Sequence, residues 1–176
     1  MPSIYEFEIS SYREQIQSMR SELKNIDLNE VDNLTHFGLA RSNRANFIIV
    51  GLCGLVEAQL FEIAEKQEEF DISEVKYGGL TKLQEHLKEI SELNFGNLEK
   101  WDCFKSIYKI RNTIVHSYGG LITKQDPNKT KHQLNKLNLS KYLVGDRRIR
   151  FEPDGLDEVL EIVEDLLAEL KNYATK

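Results

Sequence analysis

The stretch FIIVGLCGLV, Phe47 to Val56, holds ten consecutive residues without a charged side chain. Continued through EAQLFEIAE it keeps a helical period while remaining apolar nearly all round, which marks a helix enclosed by others rather than one lying on a surface. The expected helix runs from about Ser42 to Phe70. Its uninterrupted apolar run falls short of the roughly 20 residues that cross a bilayer, so it reads as a core element and not a membrane span. The pair of glycines in GLCG, Gly51 and Gly54, reads as a close helix contact through small residues, since no glycine-rich phosphate loop surrounds it.

The remaining apolar patterns supply what encloses that helix. Tyr5, Ile9, Tyr12, Ile16, Met19, Leu23 and Ile26 alternate in steps of four and three, a heptad seam over residues 1–28 that either packs on a bundle or pairs with a second copy as a coiled coil. Asn29 to Thr35 reads as a polar loop and DISEVKYGG as a connector. A third helix places Leu80, Leu83, Leu87 and Ile90 inward, FGN breaks it, and a fourth runs from about Leu98 to Tyr118, where Gly119 and Gly120 stop it. A last helix, 154–174, starts at Asp154 as its cap and carries the stripe Leu156, Val159, Leu160, Val163, Leu166, Leu167 and Leu170. The fold class is therefore all-α: an up-and-down bundle of about five helices. At 176 residues with 40% hydrophobic and 30% charged content, a single domain over 1–176 is expected.

Between the fourth and last helices, residues 121–153 read as a basic arm. The chain has net charge −6, yet 121–150 holds eight Lys and Arg against two acidic residues. KYLV and RIRF alternate around Gly145-Asp146, the pattern of a small β-hairpin. Lys124, Lys141, Arg147, Arg148 and Arg150 are the candidate polyanion contacts there. Cys53 and Cys103 form no disulfide framework, the four histidines have no zinc-ligand spacing, and MPSIYEFEIS carries no signal-peptide pattern. The expectation is a cytoplasmic protein with no metal, no cofactor and no membrane partner.

The segment KIRNTIVHSYGG, residues 109–120, departs from this regular patterning. Cys103, Phe104, Ile107, Tyr108, Ile110, Ile114, Val115 and Tyr118 span about 160° of the fourth helix, and Arg111 falls near the middle of that arc. An unpaired buried guanidinium costs several kcal/mol, so Arg111 requires a partner or a cleft. Glu57, surrounded by apolar positions of the second helix, poses the same difficulty and is the expected partner. Asn112 and His116 lie four apart and share a neighbouring face. A buried Arg111–Glu57 pair that only fixes helix packing is the structural alternative.

Arg111-Asn112, three residues, then His116, late on a bundle helix, resembles the R-N-x-x-x-H signature of the HEPN superfamily. The resemblance covers about residues 41–120, and the flanking parts are similar to stand-alone prokaryotic members such as the RiboL-PSP-HEPN type. It implies an all-α dimer acting as a metal-independent endoribonuclease, in toxin–antitoxin pairs or phage defence. Arg111 and His116 would be the catalytic pair, Asn112 the polar residue beside the arginine, and Glu57 and Tyr118 supporting residues. It also implies RNA as substrate and an antitoxin or a nucleotidyltransferase as a partner. Some members bind RNA, nucleotide or protein without cleaving.

The residue types suit that chemistry independently. Metal-free RNA cleavage uses the 2′-hydroxyl as nucleophile and needs proton transfers that histidine performs near neutral pH. Arginine presents a planar fork of donors to phosphate oxygens. One chain supplies one such histidine, and a two-fold dimer would bring two to one cleft. A helical interaction protein dimerising through its N-terminal heptads is the reading of a different class.

Overall fold

The computed structural model describes residues 4–24, 31–75, 78–117, 127–140 and 148–174. Around the central helix, α2 (Val31–Glu65), pack α1 (Ile4–Lys24), α4 (Gly79–Ile90), α5 (Trp101–His116) and α7 (Pro153–Ala174). The short α3 (Ile72–Val75) and a 3₁₀ turn at Phe95–Asn97 lie in the connections, and α6 (Pro127–Lys136) packs on α5. The described residues are thus all-helical.

The core is built from the predicted faces. Ile48, Ile49, Leu52, Val56, Leu60 and Ile63 of α2 are buried, and so are all seven residues of the α7 stripe. Leu80, Leu83 and Leu87 of α4 are buried as expected. Phe37–Glu65 of α2 is, by length and composition, long and apolar enough to cross a membrane, a longer apolar segment than the ten-residue run indicated. Just over half of its most apolar window is buried inside the bundle.

Among the described residues the heptad seam is largely consumed within the chain; the Leu23 side chain and Ile26 lie outside them. Ile9, Ile16 and Met19 are buried, and α1 packs chiefly on α7. A coiled coil between copies would need these side chains free, so the dimerising-heptad reading loses its surface. Ion pairs flank the seam: Arg13 to Glu164 (2.5 Å), Arg20 to Asp154 (2.8 Å) and to Asp157, Arg44 to Glu22 (2.7 Å) and Lys171 to Glu6 (2.9 Å). Such exposed pairs contribute about 0–1 kcal/mol each, against about 1.5–3 kcal/mol for each buried aliphatic side chain, so the seam holds α1 and the pairs set its register.

Several sequence expectations need correcting. Helix α2 begins at Val31, well before Ser42, so Val31 to Thr35 are helical and not loop, and it ends at Glu65 short of Phe70. Polar residues with weak helix propensity extend a helix that tertiary packing already anchors. Helix α7 begins at Pro153, which suits the first helical position, so Asp154 lies in the first turn and bonds Arg20 instead of capping. The supposed arm contains α6. Its start is Pro127, its inward side chains are Thr130 and Leu134, and it closes with Asn138 at φ 56, where the Leu139 amide donates to the Leu134 carbonyl (2.9 Å). No strand occurs among the described residues, so the hairpin is not seen; Arg148 and Phe151 occupy isolated bridge positions and 141–147 lie outside the described residues. Of the glycine pair, a Cβ on Gly51 would sit 2.0 Å from the Tyr12 hydroxyl, a true close approach, whereas Gly54 meets nothing within 4 Å.

Candidate functional site

Helix α5 carries the site because its aromatic residues form a continuous row. Phe95 meets Trp101 (4.5 Å between ring centroids), Trp101 meets Phe104 (5.7 Å), and Phe104 meets Tyr108 (6.1 Å). The steps of three and four along α5 put Trp101, Phe104, Tyr108 and Arg111 in one line, and the Arg111 guanidinium carbon lies 5.2 Å from the Tyr108 ring centre. The helix ends at His116 and is capped by Ser117, whose amide donates to the Thr113 carbonyl (3.1 Å).

Arg111 is half-buried at the edge of the apolar arc and not at its middle. The buried face of α5 is rotated relative to the expected arc: Ser106 and Thr113 belong to it, while Val115 is 47% exposed and does not. The direct Arg111–Glu57 ion pair is not made: among the described residues no carboxylate lies within ion-pair distance of Arg111. Tyr108 stands between them. Its hydroxyl donates to Glu57 Oε1 (2.7 Å), and its ring carries Arg111. The physical reason is spacing: Tyr108 and Arg111 are three apart on one helix, so the phenol reaches α2 where the guanidinium was expected to. Burial, and then the bond to Glu57, push the Tyr108 hydroxyl up to about 12. The same two charges reach Cys53, whose thiol is raised mainly by burial.

Arg111 Nη1 donates to Asn112 Oδ1 (2.9 Å), so these two predicted site residues are joined. Arg111 Nε is buried without a partner among the described residues. His116 is exposed in the last turn of α5, and no hydrogen bond joins it to Arg111. Five residues apart on a helix, the two project about 140° from one another. One chain therefore assembles Glu57, Tyr108, Arg111 and Asn112, but leaves His116 outside that cluster. Tyr118, with Gly119 and Gly120, lies outside the described residues.

Helices α2 and α5 run antiparallel, since Glu57 meets Tyr108 while Phe47 and Val50 meet Ile114 and Val115. Beyond Arg111 they leave an open apolar groove of about 410 Å³, lined by Asn43, Asn46, Phe47, Val50, Ile114 and Val115. Phe47 is 75% exposed there.

Of the predicted polyanion contacts, Lys124, Lys141 and Arg147 lie outside the described residues, while Arg148 and Arg150 are half-buried. Lys131 and Lys136, exposed on α6, belong to the basic segment 121–150, whereas the exposed Lys109 on α5 lies outside it and was not expected. Lys136 lies near Asp102, whose carboxyl is held below the ordinary value first by its bond to Lys105, so the end of α6 lies beside the start of α5. A signal was present in the spacing: Lys105, Lys109, Asn112 and His116 step by four, three and four along one polar face.

No group of three or more His, Cys, Asp or Glu among the described residues is placed to hold a metal ion. Comparison of the chain with protein-family models, with curated proteins and with solved structures finds no match.

Proposed function

We propose that the chain is a HEPN-type, metal-independent endoribonuclease of the toxin or phage-defence kind, working in the cytoplasm as a homodimer. The observation that carries the reading is a half-buried arginine, seated on a tyrosine ring, whose guanidinium donors meet no carboxylate at ion-pair distance among the described residues, with an exposed histidine one turn further along the same helix. A phosphate oxygen suits those donors, and His116 supplies a titratable group for the 2′-hydroxyl or the leaving oxygen. Because Arg111 and His116 diverge within one chain, the second His116 would come from a partner copy. An antitoxin or a small nucleotidyltransferase remains the proposed partner class. Incubation with single-stranded RNA in EDTA tests the reading: cleavage leaving 2′,3′-cyclic phosphate ends is expected, with DNA uncut.

The groove beside α5 offers the dimer face. Phe47→Asp places a charge on an exposed apolar side chain, so it should leave the monomer folded, convert the dimer to a monomer in light scattering, and abolish cleavage. A wild-type monomer at micromolar concentration removes the composite site.

The exposed lysines offer the RNA track. Lys109→Ala with Lys131→Ala and Lys136→Ala should weaken RNA binding and reduce the slope of log affinity against log salt by about two, at about 0.7 per phosphate contact on a single strand. An unchanged slope places the RNA elsewhere.

One observation favours a second reading, a non-catalytic HEPN dimer that binds RNA, nucleotide or a protein. His116 has no orienting hydrogen bond among the described residues, whereas a catalytic base is commonly held by a third group.

A further inference from the structure

Resting on the reading of Arg111 as the phosphate-binding cation, we propose that Tyr108 is its positioning residue, compensating the Arg111 charge through its ring while leaving the guanidinium donors available to an anion. A carboxylate in direct contact would neutralise the arginine and occupy its fork. A phenol placed between the two charges does neither.

The geometry supports this at each step. Tyr108 is held from three helices. Its hydroxyl donates to Glu57 Oε1 on α2 (2.7 Å), and the backbone at Leu80, at the start of α4, lies close enough to act on the Tyr108 hydroxyl oxygen. Its ring rests against Phe104 of its own helix (6.1 Å). Gly79 opens α4 at φ 56, and a Cβ there would lie only 3.5 Å from the Tyr108 hydroxyl, so the start of α4 closes over that oxygen. A ring fixed in this way presents one face to Arg111 at 5.2 Å, within the range of cation–π attraction. Donation of the hydroxyl proton to a carboxylate enriches the ring in electron density and strengthens that attraction. Glu57 thereby acts on Arg111 through Tyr108 without touching it. Among the described residues one bond, from Nη1 to Asn112, engages the guanidinium.

The test compares Tyr108→Phe, Tyr108→Leu, Glu57→Gln and Arg111→Ala, each alone and in pairs. Affinity for a non-cleavable single-stranded RNA probe is read at low salt, and the Arg111 Nε–H resonance is read by NMR without RNA. Tyr108→Leu should weaken RNA binding about tenfold, and Tyr108→Phe, which keeps the ring, should restore affinity to within about threefold of wild type. In the Arg111→Ala background Tyr108→Leu should add no further loss. Equal losses for Leu and Phe, or a further loss without Arg111, overturn the proposal. If the Leu variant does not fold, the pair Glu57→Gln and Tyr108→Phe decides: Glu57→Gln should weaken binding only while the hydroxyl is present, and an equal effect in the Phe background overturns it. The resonance separates this inference from the functional reading. A wild type that binds no RNA removes the functional reading alone. A ring-current shift present in wild type and Phe and lost in Leu then upholds the positioning, and a resonance unchanged in Leu rejects it.

Discussion

His116→Ala is expected to reduce RNA cleavage by about 10²–10⁴-fold, the usual contribution of a positioned general acid or base. Its effect on folding should stay within about 0.5 kcal/mol, because the side chain is exposed at the end of α5 and packs in no core. The separation of the two effects is the informative part. A histidine that only closed the helix by favouring its C-terminal dipole would change stability slightly and activity not at all. The measurement is product formation from a labelled single strand, in EDTA, with variant and wild type purified in parallel. A substrate carrying one 2′-deoxy nucleotide at the scissile position should resist both proteins. If the variant cleaves as well as wild type, or wild type cuts no RNA, the enzyme reading fails and the binding dimer takes its place.

Phe104→Ala should carry the largest stability loss, about 3–5 kcal/mol out of a total of about 5–15 kcal/mol for a domain of this size. Phe104 is fully buried and joins Trp101 to Tyr108, so its removal opens a cavity under the residues that carry Arg111. Urea unfolding should show a lower midpoint with an unchanged slope. Phe104→Leu keeps most of the volume and should cost about 1.5 kcal/mol or less. A loss below about 1 kcal/mol for the alanine variant means that the aromatic row does not hold α5 as described.

The amino-acid pattern alone determined the faces of the long helices. Ile9, Ile16 and Met19, the α4 leucines and the seven-residue α7 stripe are all buried where their period put them. A helical period survives into the fold because side chains three and four apart must share a face whatever covers it. The same logic marked Glu57 as a polar group turned into the bundle, where it accepts from Tyr108; the Arg111–Asn112 bond joins consecutive residues and lay outside it.

Only the tertiary structure decided what covers each face and which polar groups meet. The heptad seam is identical in sequence whether α7 or a second chain lies on it; α7 lies on it. Val115 and Ile114 are equally apolar neighbours, yet Ile114 is 5% exposed and Val115 47%, because consecutive helical residues project about 100° apart and only Ile114 turns toward the covered side of α5. Helix α6 offers only Leu134 as a large apolar residue among ten, too few to display a period, and becomes a helix through its ends and its seat on α5. The Arg111–Glu57 contact failed for a reason of the same kind. A helix wheel gives direction but not reach, and at the distance set by the packing of α2 on α5 the phenol of Tyr108 spans the gap to Glu57 while the guanidinium stays on its ring.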